Sequence, residues 1–148
     1  MHLRCIFAIV AFMLSGWVFA TEPVQFDYMM NCQGCHLPNG EGFPARNVPK
    51  VKDHMGKFLR VNDGREFLIR VPGSAQSDLN DERLTAVVNW MLATFSANEL
   101  PPNFQPYTVA EVSRLRENPL IDVKGTREIL MSRIEETEQR KQRTGDQP

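Results

Sequence analysis

The sequence predicts an all-α fold of three to five helices joined by long loops, and three observations predict it. After Asn80, the residues Leu84, Val87, Val88, Met91, Leu92 and Phe95 recur at helical spacing. Pro23 suits the first turn of a helix that carries Val24, Phe26, Met29 and Met30. Thr108 and Glu111 form a capping box ahead of Val112 and Leu115.

The chain has 148 residues, enough for one domain and some extra. Its formal net charge of -1 gives no reason to expect attraction to nucleic acid. At the N-terminus, Arg4 precedes an apolar run from Cys5 to Phe12, which continues through Leu14, Trp17, Val18 and Phe19 to Ala20. A short basic start, a short apolar core and a small residue at the junction read as a signal peptide, residues 1–20, cleaved after Ala20. An uncleaved anchor is the alternative, since the run is near the lower limit for spanning a bilayer. Export to the periplasm is the expectation, with no membrane span left after cleavage. Cys5 leaves with the signal, so Cys32 and Cys35 are the cysteines of the mature chain.

Those two could form one disulfide in an exported protein, but the local pattern points elsewhere. Residues 32–36 read Cys32-Gln33-Gly34-Cys35-His36, the C-x-x-C-H pattern of covalent haem attachment. Two thiols three residues apart lie on one side of a helical turn. They can add to the two haem vinyl groups, and the next residue offers an imidazole to the iron. A redox dithiol would want a strand-to-helix setting, which the sequence lacks, and a zinc site would want a second ligand pair.

The run continues Leu37-Pro38-Asn39-Gly40-Glu41-Gly42. With the motif, this resembles the C-x-x-C-H-x-x-x-G-x-G run of small class I cytochromes c. The resemblance covers roughly residues 24–96, about half the precursor. It implies one haem c bonded to Cys32 and Cys35, His36 as axial ligand, and Pro49 in Asn47-Val48-Pro49-Lys50-Val51 as the carbonyl that orients the imidazole. An acceptor of that kind is needed by any haem-ligating histidine, and Pro44 is the alternative. It also implies that the 81–95 helix crosses the N-terminal one through an aromatic residue. Trp90 matches, with Met91 then packing on the haem edge.

Taken in order, residues 37–50 read as a loop. Asp53 to Val61 fits a short helix, broken by Asn62-Asp63-Gly64. Arg65 to Val71 is ambiguous, and Pro72-Gly73 breaks again. The cytochrome domain spans 21–98. The remainder, 99–148, departs from the minimal family as a C-terminal extension. It holds an extended segment over 101–107, a helix after Thr108, a stop at Asn118-Pro119, and a second helix capped by Thr126. From Glu135 onward its charge predicts fraying or disorder.

In most members of this family a methionine before the last core helix closes the iron. Here that segment, Val71 to Asp78, has no Met, His, Lys or Cys. Met91, His54 and Met55 are left as distal-ligand candidates, with Met131 a further one if the tail folds back. Each has a bland alternative: core packing for the methionines, a surface position for His54. Residues 46–70 hold seven basic residues against three acidic ones. That is either a solvated face or a docking face for an acidic redox partner.

Two functions follow. The first is a single-electron carrier between a periplasmic dehydrogenase or oxidase and another acceptor, not an enzyme in itself. The second, resting on the missing methionine, is an open-iron protein that binds a small ligand or reacts with peroxide. Arg65, Arg70, His54 and Gln76 are the nearest polar candidates for that role. A scaffolding protein with a structural haem is a weaker third idea.

Overall fold

The computed structural model describes residues 23–145. Among them the fold is all-α, and the only extended pairing is the single bridge between Phe43 and Val48. Helix α1 spans Pro23–Asn31, and α2, Gln33–His36, follows at once. A 3₁₀ turn at Pro44–Arg46 interrupts the loop that leads to α3, Met55–Phe58. Then come α4, Gly64–Arg70, and α5, Pro72–Ala75. The main core helix is α6, Asp81–Phe95, followed by a 3₁₀ turn at Ala97–Glu99, α7 at Val109–Arg116 and α8 at Val123–Gly145. No helix of the described residues is long and apolar enough to cross a membrane.

Helix α6 forms as its sequence dictates. The Asn80 side chain accepts from Arg83 N at 2.9 Å, and Asp81 and Glu82 sit in the first turn against the positive end of the helix dipole. Leu84, Val87, Val88, Met91, Leu92 and Phe95 are all buried. Across α6 runs α1, joined by a mutual aromatic cluster: Tyr28, Trp90 and Phe95 have ring centroids 5.2–5.3 Å apart.

Helix α1 buries only part of its apolar set: Val24 packs against the core. Phe26, Met29 and Met30 are exposed, while Asp27 and Tyr28 are buried. A buried carboxylate needs a partner, and Arg83 of α6 supplies it, with Nε donating to Asp27 Oδ2 at 2.9 Å. Arg83 holds the Asp27 carboxyl below the usual carboxylate range by this hydrogen bond, against the opposing cost of burial. A carboxyl depressed in the folded state stabilises above its unfolded pKa, and that stability is lost as pH falls through the folded value. Asp27→Asn should therefore be less stable than the parent near pH 7, and the gap should close below about pH 4, as urea midpoints at several pH values would reveal.

The extension is part of the same core. Val112, Leu115, Leu130 and Ile134 are buried in one cluster with α1, α4 and α6. Arg65 of α4 meets Glu111 through two bonds, at 2.6 and 2.8 Å, and its guanidinium lies 4.0 Å from the centre of the Tyr107 ring. Tyr107 in turn donates to Arg65 O at 2.6 Å, and Asn89 of α6 exchanges two bonds with the Tyr107 backbone. Two expectations change here. Helix α8 is capped by Asp122, whose carboxylate accepts from Gly125 N at 2.8 Å, and Thr126 lies inside the helix. It also runs past Glu135 to Gly145, where composition predicts fraying: Ile134 is buried, and Glu138 pairs with Lys57 at 3.0 Å. Residues 1–20, the expected signal peptide, lie outside the described residues.

Candidate functional site

The site grows from the end of α1. Cys32 N donates to Tyr28 O at 2.8 Å, so the motif continues the helix that the aromatic cluster fixes. Cys35 N and His36 N both reach back to Cys32 O, at 3.1 and 2.9 Å, closing a tight turn. Both thiols are free; Cys32 is half-buried and Cys35 exposed. Burial, with Cys35 and Asp27 adding to it, pushes the Cys32 thiol up to about 11. Tyr28 then ties the turn from the other side, its hydroxyl donating to Leu37 O at 2.6 Å. Burial raises that phenol to about 12, so it remains a donor throughout the physiological range.

The loop after the motif folds back onto His36. Gly42 N donates to His36 O at 3.1 Å, and Gly40 O accepts from Val51 N and Lys52 N. Both glycines have left-handed backbone, with φ of 74° at Gly40 and 67° at Gly42. Space demands glycine too: a Cβ at Gly42 would lie 2.5 Å from Pro49 O, and one at Gly40 3.1 Å from the Phe95 ring. The Phe43–Val48 bridge, with Asn47 left-handed at its tip, returns the chain so that the Pro49 carbonyl lies beside the His36 ring. Pro44, the alternative acceptor, opens the 3₁₀ turn instead.

His36 is held as a neutral imidazole. Burial lowers its pKa, and the Pro49 carbonyl acts in the opposite direction. Yet Nδ1 is buried with no partner that meets hydrogen-bond geometry. The Pro49 carbonyl dipole acts on the ring from just outside hydrogen-bond geometry. A neutral ring with one nitrogen turned into the protein is the form that ligates a metal. A Cβ on Gly34 would meet no protein atom within 4 Å, and Leu37 and Phe43 are exposed apolar residues close by in the chain. Two free thiols on one turn, a neutral imidazole next to them and apolar surface alongside fit a haem. The two thiols and His36 would hold it.

The distal candidates are spread differently. Met91 and Met55 are both buried in the core, 6 % exposed each. His54 is half-buried, and its Nδ1 donates to Lys52 O at 2.9 Å. His54 and Met55 lie at the start of α3, which is tied to the end of α6 by Asp53 N to Phe95 O and Gly56 N to Ser96 Oγ, each 2.8 Å. Met131 is partly buried against the core. Of the polar candidates, Arg65 and Arg70 are committed to the extension, Arg70 through Nε to Asn118 O at 2.8 Å, and Gln76 is exposed on its loop.

The basic stretch is largely neutralised from within. Lys50 and Lys52 pair with Glu41, Lys57 with Glu138, Arg65 with Glu111, and Arg70 with Glu66. Arg60 donates to Asn98 O, and Arg46 lies over the Phe43 ring. The local surplus visible in the sequence is therefore much reduced on the folded surface.

Residues that composition and spacing missed are Asp27, Tyr28 and Arg116. Tyr28 had a readable signal, an aromatic residue one helical turn before Cys32. Arg116 had none, being one arginine in a charged helix.

No family model matches the chain. It is similar to a cytochrome c-552 of Thermus thermophilus, 28 % identical over 130 residues, covering 76 % of this chain and 87 % of that protein. It is also similar to a second cytochrome c-552 of the same organism, 31 % identical over 107 residues, covering 60 % of this chain and 81 % of that one. These relatives imply a haem c cofactor and an electron-carrying role. With the helical fold and the thiol–imidazole turn described above, they establish that the chain belongs to the class I c-type cytochromes.

Proposed function

We propose that this cytochrome is a periplasmic single-haem electron carrier, exported by residues 1–20 and working between a periplasmic dehydrogenase or oxidase and a downstream acceptor. One observation carries the reading: two free thiols three residues apart lead directly into a neutral imidazole whose Nδ1 is buried. When bound, haem supplies one-electron chemistry at its iron. The chain's own work is to hold and tune it. Cys32 and Cys35 anchor the macrocycle through thioethers, His36 is the axial ligand, and the Pro49 carbonyl orients its ring. Trp90 and Met91 serve as packing partners, and the distal ligand comes from Met91, His54 or Met55. Residues 21–98 form the haem domain and 99–148 brace it.

Expression with c-type haem assembly tests the reading. The protein should keep its haem through a denaturing gel, and a pyridine haemochrome spectrum should count one haem per chain. Cys32→Ala with Cys35→Ala should lose the haem on denaturation. A parent protein that carries no haem after denaturation would overturn the proposal. Carbon monoxide binding to the reduced protein then decides between a closed iron and the open-iron alternative.

A further inference from the structure

Helix α1 keeps an apolar stripe outside the core. Phe26, Met29 and Met30 stand three and four residues apart and so share one face of the helix. They are 51 %, 48 % and 67 % exposed. Val24 and Tyr28 carry another face of α1 into the core. The extension braces different ground: Arg116 of α7 donates to Ala75 O at 3.2 Å, Ser77 O at 2.8 Å, Leu79 O at 2.8 Å and Asp81 Oδ1 at 2.9 Å, and so holds the loop between α5 and α6.

Two of the three side chains in the stripe are thioethers. The other methionines of the described residues are sheltered. Met55 and Met91 are 6 % exposed each, and Met131 is half-buried against the core. A peroxide molecule reaches Met29 and Met30 with no movement of the protein. To reach Met55 or Met91 it must wait for the core to open, and openings of a core are rare. The consequences differ as well. A sulfoxide is polar, and inside a core it disrupts packing. Met29 and Met30 lie outside the buried cluster, so a sulfoxide at either faces water.

We propose that Met29 and Met30 form an oxidation site for peroxides, at which the outer face of α1 turns from apolar to polar while the fold stays as it is. In each event the peroxide gives one oxygen atom to the sulfur and leaves as water. The sulfur is oxidised by two electrons, which reduce the peroxide O–O bond. Methionine sulfoxide reductases reverse the change. Met30 stands two residues before Cys32, so the surface that changes adjoins the C-x-x-C-H turn.

The test treats the full-length holoprotein with hydrogen peroxide and samples it over time. Peptide mass spectrometry follows the gain of one oxygen atom at each methionine. Met29 and Met30 should convert about tenfold faster than Met55 and Met91. Retention on a hydrophobic-interaction column should fall as they convert. The urea midpoint should keep the parent's value at the stage where only these two carry oxygen. The double variant Met29→Leu with Met30→Leu keeps the stripe apolar and should lose the change in retention. Equal conversion of exposed and buried methionines, a lowered urea midpoint, or a retention shift that persists in the double variant each overturns the proposal. A repeat with cyanide, which occupies an open haem iron, should leave the rates unchanged. Slower conversion there would mean that the iron rather than exposure directs the oxidation, and would overturn the proposal too.

Discussion

Tyr28→Ala is expected to cost about 3–5 kcal/mol of stability, the range for deleting a large buried aromatic side chain. Tyr28 is 2 % exposed, packs against Trp90 and Phe95, and its hydroxyl is a bridge from α1 to the residue after His36. Alanine would remove the packing and leave the Leu37 carbonyl without its donor. Tyr28→Phe separates the two contributions: it keeps the ring and should cost about 1 kcal/mol. Urea denaturation followed by far-ultraviolet circular dichroism measures both. If the two variants are equally destabilised, the hydroxyl bridge rather than the ring fixes the motif turn.

Gly42→Ala is the second large effect. Its cost combines a left-handed φ of 67° with a Cβ placed 2.5 Å from the Pro49 carbonyl oxygen. Strain and forced displacement of that kind cost about 2–4 kcal/mol together. The displaced atom is the one beside His36, so the variant should also show an altered Soret band when loaded with haem. Gly73→Ala is a fair comparison, since a Cβ there would meet nothing within 4 Å. It should fall within about 0.5 kcal/mol of the parent. A Gly42→Ala protein as stable as Gly73→Ala, with an unshifted spectrum, would mean that the His36 loop adapts without strain.

These two residues show what the sequence makes legible. Local chemistry reads well. The spacing of the thiols, the Asn80 cap, the α6 stripe and the Thr108 capping box all act within a few residues, and each has a structural counterpart. Interactions between distant segments do not read. In α1 the apolar set does not mark the buried face: Val24 packs against the core, but Phe26, Met29 and Met30 are exposed while Asp27 and Tyr28 are buried. The reason is Arg83, 56 positions later, which makes a buried aspartate affordable. The basic stretch over 46–70 is another case, since its ion-pair partners are not visible from the stretch itself. Its neutralising partners include Glu111 and Glu138, both in the extension. Helix α8 outlasts its composition because Ile134 finds a core that is built mostly from residues far ahead of it.

The way Arg116 grips its loop has a consequence for how this sequence can change. Three of its four acceptors are main-chain carbonyls, at positions 75, 77 and 79. Such a grip recognises the path of the backbone and is indifferent to which side chains decorate it. Exchanges at Gln76 and Asp78, both exposed, leave every one of those acceptors in place. The loop can therefore explore new surface chemistry at little cost to the architecture that supports it. A protein built in this way can alter what this loop presents on its surface by single substitutions and still fold to the same shape.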